Sequence, residues 1–253
     1  MNQRTQLLLK PLLISTLLLS VQSFAVPATA NKAAPGMELK PYSASYKASI
    51  KGIPFGGSGE RNLKKNSDGS WTLEFGADAA FFGMKETSHF TLKNHKVVSL
   101  DYVYKRSGIG SKPEKEAHFD WNTHKVTWHQ DNRQWSMDLP AGAIDNLAYQ
   151  LQLRIDLSSG KTTGFNYKIA DDDEVFERAF IVEGDEIIET DAGKLETIKI
   201  KIQRDSDKRT TWIWFAKNWN YFMVKLLQKE GDTEYSIEFK EATIDGKQLT
   251  GKI

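Results

Sequence analysis

The sequence predicts a mainly β fold: a long antiparallel meander forming a curved sheet or barrel-like half-barrel around one α-helix. Three observations carry this. Apolar and polar residues alternate with a period of two through most of the chain, turn residues recur at short intervals between those stretches, and a single segment has helical spacing instead. A succession of hairpins of this kind is a meander and not a βαβ protein.

Taken from the amino end, residues 1 to 25 read as a cleavable secretory signal peptide. Arg4 supplies positive charge, Leu12 to Leu19 supply an apolar core shorter than the roughly 20 residues that span a bilayer, and small residues follow at signal-peptidase spacing. Cleavage is expected after Ala25, with Ala30 second. Residues 26 to 40, with Pro27, Pro35 and Gly36, lack any period and read as a flexible tether, so a single β-rich domain is expected over 41 to 253. The chain contains no cysteine, which removes both a disulfide framework and the thiol of a bacterial lipid anchor. The expected location is the periplasm, with no stable membrane anchor.

Removing residues 1 to 25 takes away Arg4 and Lys10 and no acid, leaving 32 basic against 33 acidic side chains. A nucleic-acid binder gathers basic excess on one face, and a lipid-surface binder carries a basic amphipathic helix. Neither pattern is present, so partners recognised mainly by charge, nucleic acid and lipid surfaces alike, are not expected. The remaining partners are an apolar ligand or an envelope protein.

Within the domain, Ile198, Ile200 and Ile202 face one way while Thr197, Lys199 and Lys201 face the other, and Tyr235, Ile237 and Phe239 repeat the pattern. One dry and one wet face is the habit of antiparallel sheets. Strands are expected near 42–51, 58–65, 70–77, 86–93, 96–105, 115–121, 126–131, 133–138, 164–170, 174–183, 185–190, 194–204, 209–216, 221–229 and 233–241. Asn66-Ser67-Asp68-Gly69, Asp191-Ala192-Gly193 and Asp245-Gly246 are among the turns that separate them. The helix is expected over 144–156, with Ile144, Leu147, Ala148, Leu151 and Ile155 as its apolar stripe, Asp145 as its cap and Gly160 beyond its end.

All five histidines, His89, His95, His118, His124 and His129, fall in one window. A two-residue turn at Thr123-His124 would pair Trp121 with Val126, Phe119 with Trp128 and His118 with His129. Zinc needs three or four converging ligands, and only His118, His129 and Asp120 are at hand, so the histidines read as polar residues on a wet face and no metal is expected. Of seven tryptophans, Trp212 and Trp214 share one face of a strand whose other face holds Ile213 and Phe215. Such residues suit core packing, and they also suit the wall of a ligand cavity, for which Trp121, Trp128, Trp212 and Trp214 are the candidate binding residues. The glycine-rich stretch from Gly52 to Gly59 and the Gly160-Lys161-Thr162 triplet lack the context of a phosphate loop and read as turns. Asp171-Asp172-Asp173-Glu174 lacks calcium-loop spacing and reads as an acidic turn. No catalytic motif and no cofactor signature is found.

The order of Phe119-Asp120-Trp121, the helix with Asp145-Asn146-Leu147-Ala148-Tyr149-Gln150-Leu151 and Arg154, Val182-Glu183-Gly184-Asp185-Glu186, Thr190-Asp191-Ala192-Gly193-Lys194 and Trp212 to Phe215 resembles the exported bacterial proteins called domain of unknown function 3108. The likeness spans roughly Tyr42 to Ala242. One departure is Tyr221-Phe222-Met223-Val224, where such proteins often place a proline before the apolar pair. The resemblance implies an envelope location and a β-rich fold and brings no activity. The expected role is a periplasmic binding or chaperone-like protein holding an apolar ligand such as a lipid. The alternatives are an envelope hydrolase using the histidine-rich window and an assembly partner without ligand.

Overall fold

The computed structural model describes residues 37–51, 56–79 and 81–250; the expected signal peptide and most of the tether lie outside the described residues. Eight antiparallel strands come first: β1 (Tyr42–Ile50), β2 (Gly57–Lys65), β3 (Trp71–Ala79), β4 (Phe82–Lys93), β5 (Lys96–Gly108), β6 (Lys112–Asp120), β7 (Lys125–Gln130) and β8 (Arg133–Asp138). The short β9 (Ala143–Ile144) leads into the helix α1 (Ala148–Ser158). The second run is β10 (Phe165–Asp171), β11 (Glu174–Thr190), β12 (Gly193–Ile202), β13 (Arg209–Ala216), β14 (Phe222–Glu230), β15 (Thr233–Ile244) and β16 (Lys247–Gln248).

Each run is a meander, and β1 pairs with β15, so the two join into one sheet whose end strands are β8 and β9. The sheet curls without closing. Across the seam, Trp135 Nε1 on β8 donates to the Asp172 carbonyl of the β10–β11 turn at 2.8 Å, and Lys115 pairs with the Asp172 carboxylate at 2.9 Å.

The period-two pattern is what buries the inner face. In β1, Tyr42, Ala44, Tyr46 and Ala48 are buried while Ser43, Lys47 and Ser49 are exposed. Ile213 and Phe215 point inward from β13, fully buried, and join Leu73, Phe90, Leu151, Phe165 and Phe239 in one core. Full burial of such side chains is worth about 1.5–3 kcal/mol each.

Nine of the eleven residues of α1 are buried, so its polar side chains are enclosed along with the apolar stripe. Each finds a partner on the surrounding wall. Gln150 Oε1 accepts from Arg61 at 2.8 Å, and Gln152 Oε1 accepts from the Val97 amide at 2.8 Å. Arg154 Nε donates to the Asn220 carbonyl at 3.1 Å. Asp156 takes Lys96 at 3.0 Å, Gln152 Nε2 at 2.6 Å and the Tyr167 hydroxyl at 3.2 Å.

Three local expectations are corrected. The helix begins at Ala148 and not at 144, because Asp145 Oδ1 accepts the amides of Leu147 and Ala148 at 2.9 and 2.8 Å and holds the preceding residues in a turn. That leaves Ile144 free to pair in β9, parallel to β10. The strands expected at 174–183 and 185–190 are one strand, β11, with an irregularity between Val182 and Gly184, where Gly184 takes φ +132°. The β6–β7 hairpin has a four-residue loop from Trp121 to His124, in which Asp120 Oδ1 accepts the amides of Asn122 and Thr123. His118 therefore pairs with Thr127, and His129 with Glu116.

Asp145 is the pin between helix and wall. Its Oδ2 accepts the hydroxyls of Ser88 on β4 and Ser99 on β5 at 2.7 and 2.6 Å. Burial pushes its carboxyl up, and the two serines and two amides work against that shift. Asp145→Ala should orphan both hydroxyls and both amides and cost about 3 kcal/mol, read as a lower urea midpoint with unchanged slope.

Candidate functional site

Side chains fill the space between α1 and β1, β2 and β13, while on the β5–β10 side a partly open hollow of about 410 Å³ is lined by Gln152 and Asp156 of α1 with Val97, Ile144 and Tyr167. The enclosed void that Arg61 and Arg154 line, beside Tyr42, Tyr46 and Leu151, measures about 10 Å³. Ligand cavities run to several hundred.

The four candidate tryptophans do not share one cavity. Trp128 is fully buried inside, stacked on Trp135 with ring centroids 6.4 Å apart and met edge-on by Tyr102 at 6.1 Å. Trp121 donates its indole N–H to the Ser99 carbonyl at 2.8 Å. Because Ile213 and Phe215 take the inner positions of β13, Trp212 and Trp214 lie on the outer wall. There Lys199 sits 5.6 and 5.2 Å from their rings, with Lys229 over Trp212 and Lys225 over Trp214.

Two of the five histidines converge. His89 Nδ1 and His118 Nδ1 lie 3.0 and 2.7 Å from the two carboxylate oxygens of Asp101. Partial burial raises the Asp101 carboxyl, but the bonds from His118 and His89 outweigh it and hold the group below its ordinary value. On its other side, His89 Nε2 lies 2.8 Å from Ser70 Oγ, which completes the atom order of a hydrolase triad. Ser70 is nevertheless 3% exposed, donates to Asp68 at 2.6 Å and accepts from Asn66 at 2.9 Å. Its hydroxyl is committed to the β2–β3 turn. Among the described residues no group of three or more acidic or histidine side chains could hold a metal ion.

An open groove of about 700 Å³ lies where three hairpin ends meet: the start of β2, the β3–β4 turn and the β5–β6 turn. Glycines let these backbones touch. A Cβ on Gly57 would fall 2.0 Å from the Asp78 carbonyl, and one on Gly83 would fall 2.5 Å from Ser107 Oγ. At Gly108, whose φ is +78°, a Cβ would lie 1.9 Å from the Phe81 carbonyl. The Ile109 amide donates to that same carbonyl at 2.8 Å. This packing fixes two large apolar side chains in solvent, Phe81 at 76% and Ile109 at 72% exposure. Phe82 lies below them with the Arg106 guanidinium 4.8 Å from its ring. Lys105 and Lys112 flank the β5–β6 tip, both exposed, and Lys112 has no ion-pair partner among the described residues.

The groove is lined by small and apolar residues with one carboxylate, Asp78; Lys105, Arg106 and Lys112 lie in a neighbouring hollow together with Glu60, Glu74 and Glu114. Of this region the sequence reading named only the glycine-rich stretch 52–59, as a turn, and assigned nothing to 78–85 or 106–114; the signal present was an apolar residue between glycines, Gly108-Ile109-Gly110, and the Phe81-Phe82 pair at the start of β4.

Glu86, on the inner face of β4, accepts the Tyr102 hydroxyl. Burial raises its carboxyl to about 7; the Tyr102 bond and Arg61 oppose the shift, and Asp145 adds to it. The folded state thus holds this proton more tightly than the unfolded chain. Its contribution to stability is greatest in acid, falls as pH rises toward 7 and levels off above. Glu86→Gln should flatten that slope between pH 5 and 7 and stabilise the protein at pH 8 by about 1–2 kcal/mol, measured by urea unfolding across pH.

Among solved structures, the chain is similar to a beta-barrel-like protein of domain of unknown function DUF1849 from Brucella abortus, with TM-score 0.54 and 12% identity over 81% of this chain and 98% of that one. That likeness concerns the fold. MucB in complex with MucA(peri) aligns over 82% of this chain and 90% of its own at 7% identity with TM-score 0.16, too low to carry an argument. No curated protein matches. The model of a family described as a protein of unknown function, DUF3108, matches residues 42–239, and the chain belongs to that family.

Proposed function

We propose that the chain is an exported periplasmic binding protein, without catalytic activity, that engages an anionic lipid surface reversibly through the Phe81–Ile109 rim. The observation that carries this is the contrast between an interior packed around α1 and two large apolar side chains held in solvent on glycine-locked hairpin ends. A carrier or chaperone that enclosed its ligand would need the reverse. Large apolar residues displayed together on a surface mark an interaction site.

Insertion of Phe81 and Ile109 into an acyl boundary supplies about 3–5 kcal/mol. Lys112, which has no ion-pair partner among the described residues, adds about 1 kcal/mol beside anionic headgroups, and Lys105, already paired with Glu114, adds less. The sum, set against the cost of association, is a weak and salt-sensitive attachment, which agrees with a chain whose amino-terminal sequence reads as an export signal without a lipid anchor.

The mature protein should co-float with phosphatidylglycerol vesicles at low salt, less with phosphatidylcholine vesicles, and should be released by 0.5 M salt, a value chosen on the order of several times physiological ionic strength. The double variant Phe81→Ser/Ile109→Ser should fold with unchanged circular dichroism and lose at least about tenfold in vesicle affinity. Undiminished flotation of that variant, or rim-dependent capture of one envelope protein with no flotation at all, would overturn the reading. Osmotic shock followed by amino-terminal sequencing checks the address: the released chain should begin at Val26 or Asn31.

A further inference from the structure

We infer that the open end of the half-barrel holds a binding site for one phosphate group, free or carried on an ester, between Arg178 and Arg204. The helix lies toward the other end of the sheet, where Arg154 meets Asn220 and Gln152 meets Val97. At the end where β4, β11 and β13 start and β5 and β12 finish, inner-face residues reach solvent: Met84, Tyr104 and Gln228 are half-buried and Tyr235 is 39% exposed. The two arginines stand at this mouth.

Strand register brings them together. Phe180 on β11 faces Ile202 on β12, both buried in the core, and the Gln203 amide extends the ladder by donating to the Ala179 carbonyl at 2.9 Å. The next position sets Arg178 opposite Arg204, and the period of two turns both side chains inward. Like charges directly opposite each other destabilise a sheet. Among the described residues neither arginine forms an ion pair, whereas Arg209 at the start of β13 is paired with Glu230.

Their guanidinium groups are held in place without being used up. Arg178 lies over the Phe176 ring at 4.3 Å, a contact with the face of the group that leaves its N–H fork for another partner. Arg204 Nη2 donates to Thr211 Oγ1 at a long 3.4 Å, and Arg204 Nε is buried with no hydrogen-bond partner. A buried donor left unpaired is costly, more so on a charged group. Burial lowers both arginines, and Arg178 pushes Arg204 the same way; Asp171, Asp205 and Glu174 act on Arg178 without touching it. Tyr149, in the first turn of α1, packs on Phe180 with ring centroids 5.2 Å apart. Burial raises its hydroxyl and Glu86 adds to the rise, while Gln150 and both arginines oppose it.

The chemistry of the pair selects the occupant. Two facing guanidinium forks call for an acceptor with more than one negative charge or more than two oxygens. A phosphate accepts a bidentate bond from each fork and offsets both charges, whereas a carboxylate has two oxygens and one charge. Phe176, Phe180 and Tyr149 set aromatic surface beside the forks, which suits the organic part of an ester. The Phe81–Ile109 rim belongs to the same end of the sheet, so a lipid headgroup is one source of the phosphate and a soluble phosphate the other.

The mature protein, titrated calorimetrically in phosphate-free buffer with inorganic phosphate, glycerol 3-phosphate and dihexanoyl phosphatidic acid below its micelle concentration, should show saturable binding at one site. Tenfold tighter binding of the phosphatidic acid than of the other probes identifies a lipid headgroup as the source, and equal affinities identify a soluble phosphate. Arg178→Gln and Arg204→Gln should each weaken binding at least about tenfold. With the repulsion relieved, neither should melt lower than the unaltered protein when phosphate is absent. The double variant Phe81→Ser/Ile109→Ser should titrate unchanged, which separates this site from vesicle attachment at the rim. Should an arginine variant melt lower or fail to fold, crystals of the unaltered protein soaked in glycerol 3-phosphate decide, with density expected between Arg178 and Arg204. No saturable binding of any probe, binding that both variants retain, or a soak that leaves the two arginines without phosphate would overturn the assignment.

Discussion

Everything in this molecule follows from one constraint: an eleven-residue helix is enclosed on all sides by a sheet, polar face included. A helix lying on a flat sheet keeps one face in water. Here Gln150, Gln152, Arg154 and Asp156 are inside, and each unmatched group would cost about 1–3 kcal/mol. The wall is therefore built to answer them, with Arg61 on β2, the Val97 amide and Lys96 on β5, and Tyr167 on β10. Asp145 fixes the register by tying the helix start to Ser88 and Ser99 on adjacent strands. A sheet that must reach the helix from β2, β5 and β10 together has to curl, and with the interior occupied there is no need for the end strands to meet.

The same enclosure moves function outward. A filled centre leaves the ends and the outer wall, and on these the chain treats large apolar residues in two ways. Trp212 and Trp214 are roofed by the stems of Lys199, Lys225 and Lys229, a cover that hides apolar area. Among the described residues Phe81 and Ile109 have no such cover, and beneath them lie close backbone approaches at Gly57 and Gly108 that leave no room for a Cβ. Tight backbone packing beneath exposed apolar side chains makes a rigid display. Rigidity lowers the ordering cost of any contact made there.

Much of the fold was legible because period two and turn chemistry are local signals. The strand succession, the single helix and its curved enclosure follow from the isoleucine alternation of β12 and the spacing of Leu147, Leu151 and Ile155. What was not legible depends on tertiary partners. Asp145 has the sequence look of a helix cap, yet its bonds to two distant serines shift the helix start. The hairpin after Asp120 carries no glycine to fix its loop length, and the Asp120 carboxylate selects four residues over two. For the site, period two correctly put Trp212 and Trp214 on one face but could not say whether that face was inner or outer. The rim was invisible for another reason: glycine-rich turns look alike whether or not they touch, and only the meeting of three of them makes a surface.

The central claim is that contact with lipid is made at the rim and not inside. Because the chain has no cysteine, single substitutions Phe81→Cys, Ile109→Cys and, on the outer wall, Thr127→Cys each accept one environment-sensitive fluorophore. With anionic vesicles, probes at 81 and 109 should shift to shorter wavelength and brighten, and the probe at 127 should not change. A shift at 127 alone, or co-flotation with no shift at 81 or 109, would contradict the account.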